Sequence, residues 1–215
     1  MSTAGSRFYL VNDRPVALVP TENGGTDCVV FDYATGELVP DRSYFGYLTP
    51  GSGRDVDVLT ETAFEARLAV VQAEAGALAA AELRRWALRL SETGARAGDL
   101  STVLAPFTRG GERTVSVDLP PRGYRRIRLG VDERREGWVK RTVELEPAGR
   151  LLTPEVLDAE FHVKRELPIP PDSGLQGNVW YDDVTAPDGP AGCDVRAKFR
   201  NQAAVNVQLS VSHTR

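Results

Sequence analysis

Apolar positions recur along this chain with two different periods, and the period changes twice. Residues 8–11, 16–19, 28–31 and 37–39 form short β-type runs separated by turn formers. Asn12-Asp13-Arg14-Pro15 divides the first two runs, Asn23-Gly24-Gly25 supplies the positive φ angles of a hairpin turn, and Ala34-Thr35-Gly36 marks the next reversal. The pattern predicts a β-meander whose strands are too short to stand alone. After Leu59-Thr60 the period becomes helical, with Thr60 placed to cap and Leu59 to pack on Phe64. Phe64, Leu68, Val71, Ala75 and Leu78 follow the spacing of one apolar stripe, expected to be buried against the meander. Leu83, Trp86 and Leu90 continue such a stripe toward Gly94, a candidate glycine cap. Gly76 interrupts this stretch at a cost of ~1 kcal/mol relative to alanine, so residues 61–93 fit either one long helix or two shorter ones. A further short helix, capped by Asp99, is expected over 100–104 and ends at Pro106.

The period then returns to two. Val115, Val117 and Leu119, then Ile127, Leu129 and Val131, then Val139, Val143 and Leu145 alternate with polar residues, the last set broken by Arg141. Thr153-Pro154-Glu155 has the cap-then-proline signature of a helix over 154–160, and strand character resumes at Phe161, Val163 and Leu167. From Val195 to Val211 the odd positions are apolar apart from Asn201, and the even ones polar apart from Ala204. A run of about 17 residues exceeds the usual strand of five or six, so Asn201 marks a bend or hairpin. The expected class is α+β: an N-terminal β-meander covered by a helical segment (residues 1–108), then a mainly antiparallel β unit (112–215). The boundary falls at Arg109-Gly110-Gly111.

Composition narrows the setting. The 215 residues are 41% hydrophobic and 26% charged, which fits a folded globular protein. No run approaches the ~20 apolar residues of a membrane span, and nothing at the N-terminus resembles a signal peptide, so a soluble, cytoplasmic protein is expected. All but Lys140, Lys164 and Lys198 of the 26 basic residues are arginine, a usage typical of a GC-rich bacterial genome. Cys28 and Cys193 lack CxxC spacing and read as buried thiols. Charge is segregated: residues 1–100 carry a net −5, 101–150 a net +4, and 151–215 a net −3.

Candidate chemistry is sparse. His213 lies almost at the C-terminus, and His162 shares a strand face with Lys164 and Glu166, the pattern of a solvated surface. The sequence contains no HExxH, Cys/His zinc cluster, GxSxG, GxxxxGK[ST] or GxGxxG frame, so no catalytic residue and no cofactor is implied. Two constellations remain. Asp182, Asp183 and Asp188, with Asp194 beyond, offer the oxygens a hard cation prefers, although alternation on a strand points Asp182 and Asp183 to opposite faces. The second comprises Arg122, Tyr124, Arg125, Arg126, Arg128, Trp138, Lys140 and Arg141, where cations and aromatic rings are interleaved. Asp132, Glu133 and Glu136 lie among them, which favours a salt-bridged surface over a phosphate track.

Three function classes follow. The leading expectation is a non-enzymatic interaction or assembly protein, partnered by another protein or by a second copy of itself. The second is a nucleic-acid-binding accessory protein using residues 122–141. The third is a cation- or ligand-binding β domain, or a hydrolase, with its acidic loop near 182–194.

Overall fold

The computed structural model describes residues 5–93, 114–116, 123–133, 138–188 and 191–214. Backbone packing divides the α+β chain into two compact units, Met1–Ala75 and Gly76–Arg215. The boundary expected at 109–111, the cap at Gly94 and the short helix over 100–104 lie outside the described residues.

The N-terminal unit is an antiparallel sheet of β1 (Arg7–Val11), β2 (Arg14–Pro20), β3 (Thr26–Asp32), β4 (Glu37–Pro40) and β5 (Val56–Leu59), in the order β4-β3-β2-β1-β5. The sequence anticipated the first four strands. It did not anticipate β5, nor the single-turn α1 (Tyr44–Tyr47). Val11 pairs with Arg14, so the first hairpin closes through Asn12 and Asp13 alone, at φ 47° and 65°. Positive φ at both central residues is the turn whose twist matches the flanking strands. The Asn12 side-chain oxygen accepts from the Asp55 amide at 3.2 Å, and the Asn12 amide donates to the Asp55 carbonyl at 3.0 Å, which fixes the start of β5 beside the hairpin tip.

Residues 61–93 form one helix, α2 (Glu61–Thr93), resolving the choice between one helix and two. Thr60 caps it: its hydroxyl accepts from the Ala63 amide at 3.2 Å. In the N-terminal unit Phe64, Val71 and Ala75 are buried and Leu68 half-buried, and Phe64 stacks on Phe8 at 4.8 Å between ring centroids. Leu78, expected in the same stripe, is 72% exposed. Each helical residue advances ~100°, so Leu78 does continue the line of Phe64 and Val71. The residues buried in the C-terminal unit, however, are Ala80, Leu83, Ala87 and Leu90, which lie on another side of the helix.

The C-terminal unit is built on a seven-stranded antiparallel sheet, ordered β6-β7-β8-β12-β11-β10-β9. Its strands are β6 (Thr114–Ser116), β7 (Tyr124–Glu133), β8 (Trp138–Pro147), β9 (Val163–Glu166), β10 (Gly177–Tyr181), β11 (Cys193–Arg200) and β12 (Ala203–Thr214). The final alternating run is the β11–β12 hairpin. Arg200 pairs with Ala203, and the turn is Asn201–Gln202 at φ 51° and 59°. A bulge lets Phe199 pair with Ala204 while Lys198 pairs with Asn206. Val205 thus falls in the bulge and is half-buried, while Ala204 takes the core position that strict odd–even alternation assigned to Val205.

One face of this sheet carries Ile127, Leu145, Val195, Ala197, Val207 and Leu209, all fully buried. It packs with the later turns of α2 and with α3 (Pro154–Glu160), whose N-cap is Thr153, as its sequence signature predicts. Gly76 is explained here. A Cβ at this position would lie 2.9 Å from the Leu151 carbonyl oxygen and 3.0 Å from Val156, so its absence permits close approach of α2 to the chain leading into α3. Ser91 is fully buried in α2; its hydroxyl donates to the Ala191 carbonyl at 2.6 Å and accepts from the Ala186 amide at 3.0 Å. Replacing it by alanine leaves both backbone groups without this partner. Ser91→Ala is expected to lower stability by about 1–3 kcal/mol, read as a shift of the urea midpoint. An unshifted midpoint would contradict this bond's importance.

Candidate interaction face

Because opposed residues of an antiparallel pair project to the same side, strand register alone assembles the outer face of the C-terminal sheet. Arg128 pairs with Glu144, Glu144 with Gln208, Gln208 with Arg196, Arg196 with Trp180, and Trp180 with Arg165. One row of polar and aromatic side chains therefore crosses six strands, from β7 to β9. Beside it runs Gly130, Thr142, Ser210 and Asp194, and beyond that Lys140 opposite Ser212.

The focus of the row is Trp180. Lys164 Nζ lies 4.6 Å from its ring centroid, and the guanidinium carbons of Arg196 and Arg165 lie at 4.8 and 5.0 Å. Cations are drawn to an indole face by its quadrupole, each contact being worth roughly 0.5–2 kcal/mol. Carboxylates bracket the cluster: Lys164 pairs with Asp183 at 3.4 Å and Arg196 with Asp194 at 3.9 Å. The charged layer covers what lies beneath it. Trp180 Nε1, Arg196 Nε and the Ser210 hydroxyl are buried, and among the described residues none has a hydrogen-bond partner.

Asp183 and Asp194 are also hydrogen-bonded to each other. Burial and the neighbouring Asp183 push Asp194 up to about 6, whereas its bond to Asp194 and the Lys164 ammonium hold Asp183 below the usual carboxylate value. An acid raised from 3.8 to about 6 contributes stability that is fully present below pH 3.8 and lost as pH rises through 6. Asp183, shifted the other way, contributes above pH 3.8 and loses that contribution as pH falls through its lowered value. Asp194→Asn keeps a donor toward Asp183 and removes the titration. At pH 7.5 the variant is expected to gain about 1–2 kcal/mol relative to wild type, compared with its relative stability at pH 4. Parallel urea-midpoint profiles for the two proteins across pH 4–7.5 would refute the shared proton.

The sequence candidates divide among different places. Arg126, Arg128 and Lys140 share the outer-face register, with Arg126 paired to Glu146 at 3.9 Å. Arg125 is exposed at a bulge and donates to the Ala148 carbonyl at 3.2 Å. Tyr124 is not part of the cationic face: its ring packs against Trp86 at 5.6 Å, and burial raises its phenol above the usual value. Arg141 pairs with Val211 and so has the register of the core side. Trp138 begins β8, and Arg122 lies outside the described residues. Of the three aspartates, Asp183 alone joins the cluster. The Asp182 amide donates to the His162 carbonyl at 2.8 Å, its side chain is exposed, and Asp188 lies exposed in the following turn. Among the described residues no three His, Cys, Asp or Glu side chains are grouped to hold a metal ion.

Both cysteines are free and buried, and burial pushes the Cys193 thiol up to about 12 and raises Cys28. Such thiols are poor nucleophiles. Among the described residues no helix is long and apolar enough to cross a membrane. Compared with protein-family models, with curated proteins and with solved structures, the chain finds no match.

Proposed function

We propose that this protein is a non-enzymatic assembly protein, cytoplasmic and of bacterial origin, which binds a second copy of itself through the outer face of its C-terminal sheet. The supporting observation is the row from Arg128 to Arg165, a broad polar surface held in register by six strands. Charge names the occupant. Among the described side chains on that face Arg126, Arg128, Lys140, Lys164, Arg165, Arg196 and Lys198 outnumber Glu144, Glu146, Asp183 and Asp194. The register of Asp132 opposite Lys140 adds one further acidic position without reversing the excess. Residues 1–75 carry five basic and eleven acidic side chains, so the N-terminal unit of another copy is a complementary surface. Complementary potentials steer encounter and fix register. Contact between two different patches is heterologous, so repeated copies close into a ring or extend as a filament.

A nucleic-acid reading draws on the cations around Trp180, where aromatic rings and positive charge meet. Two observations weigh against it. The Trp180 ring is already engaged by Lys164, Arg165 and Arg196, and Arg126, Lys164 and Arg196 each have a carboxylate within 4 Å. Phosphate binding depends on cations free to displace counterions. Light scattering at low ionic strength and in about 0.5 M salt, where the Debye length is only a few ångströms, separates the readings. Self-assembly predicts a mass of several chains that falls to 23.4 kDa in high salt and is indifferent to a single-stranded oligonucleotide. A single-chain mass at every salt concentration, or a salt-sensitive complex with the oligonucleotide alone, contradicts it.

A further inference from the structure

We infer that a cleft in the N-terminal unit is a binding site for a small organic anion, one carrying a carboxylate or phosphate group on a planar body. The cleft encloses about 250 Å³ and is walled by Tyr33, Tyr44 and Tyr47, with Arg14, Arg54 and Asn12 at its polar positions. Its parts come from separate elements: the first hairpin, the turn after β3, α1 and the loop before β5.

Arg14 is held in place. Its Nε donates to the Phe31 carbonyl at 2.7 Å and its Nη1 to the Tyr44 hydroxyl at 3.0 Å, while the guanidinium lies 5.4 and 5.8 Å from the Tyr33 and Tyr44 ring centroids. Nη2 makes no hydrogen bond among the described residues, so a donor remains for a ligand, while the Arg14 charge also helps to hold the Asp41 carboxyl low, after that group's bonds to Ser43. Arg54, exposed, lies over Tyr47 at 4.9 Å and makes no ion pair among the described residues. Two guanidiniums, one anchored by hydrogen bonds and one resting on Tyr47, offer the forked donors that match the two-oxygen geometry of carboxylate and phosphate. The tyrosines add hydroxyl donors and flat walls: Tyr44 and Tyr47 meet edge to face at 4.9 Å. Tyr33, 45% exposed, is held edge to face on Phe31 at 4.9 Å. This site is in a different unit from the cationic sheet and does not depend on self-assembly.

The test is calorimetric titration of the full chain with benzoate, phenyl phosphate, inorganic phosphate and the neutral benzyl alcohol. Binding of benzoate or phenyl phosphate, with none of benzyl alcohol, is the expected result, and the stronger of the two identifies the anionic group. Arg54→Gln, which removes only the guanidinium's contact with the Tyr47 ring, should weaken that binding at least tenfold, while Arg42→Gln outside the cleft leaves it unchanged. Absence of binding by both aromatic anions at millimolar concentration overturns the inference. So does binding that Arg54→Gln leaves intact, or that inorganic phosphate alone reproduces without regard to Arg54.

Discussion

Deletion of residues 203–215 is expected to unfold the C-terminal unit. The segment is β12, which lies between β8 and β11 in the middle of the sheet and hydrogen-bonds to both. Its Val207, Leu209 and Val211 are fully buried, with Ala203 and Ala204 nearly so. Burial of a Val or Leu side chain is worth roughly 1.5–3 kcal/mol each, and the deletion also strips the ladder from both neighbouring strands. The combined loss rivals the roughly 5–15 kcal/mol that separates most folded domains from their unfolded chains. All three tryptophans, Trp86, Trp138 and Trp180, lie after residue 75. Tryptophan fluorescence therefore reports this unit alone. The truncated chain should show the red-shifted emission of solvated indole; native emission would mean that β12 is dispensable.

The second large effect belongs to α2. Leu83 is fully buried in the cluster that includes Leu157, Phe161 and Leu209. Leu83→Ala should cost about 2–5 kcal/mol, from lost transfer energy and the cavity left behind. Leu78→Ala, five residues earlier on the same helix and 72% exposed, should change stability by no more than about 0.5 kcal/mol. Paired urea titrations followed by tryptophan emission measure both. Equal shifts for the two variants would contradict the assignment of α2's buried side.

Much of the architecture was legible in local pattern. Thr153-Pro154 starts its helix as written, Asn201 opens the hairpin turn, and the meander turns fall at Asn12-Asp13 and at Gly36, where φ is 72°. These features depend on φ preferences and capping groups within a few residues. Leu78 misled because periodicity reports that a helix has an apolar stripe, not where each part of the stripe finds a partner. Val205 misled because a bulge is decided by pairing with the adjacent strand, and strict alternation cannot register the extra residue. The candidate face was legible only in pieces. Arg128, Trp180 and Arg196 are distant in sequence and meet through strand order, with β12 inserted between β8 and β11. Tyr124 has cationic neighbours in sequence, but its ring packs against Trp86, a partner no local pattern reveals. The Arg14–Tyr44 cleft gave no local signal at all, since four separate segments build it.

The self-assembly proposal is tested most directly by reversing charge on the sheet face while leaving its core untouched. Arg126, Arg128 and Lys198 are all exposed there. The Arg126→Glu, Arg128→Glu, Lys198→Glu triple variant should keep wild-type tryptophan emission, its melting lowered only modestly by the like charges it sets opposite Glu146 and Glu144. By light scattering at low ionic strength its mass should be that of one 23.4 kDa chain, where the proposal expects a multiple of that mass for the wild-type protein. A triple variant with the wild-type mass would contradict assembly through this face.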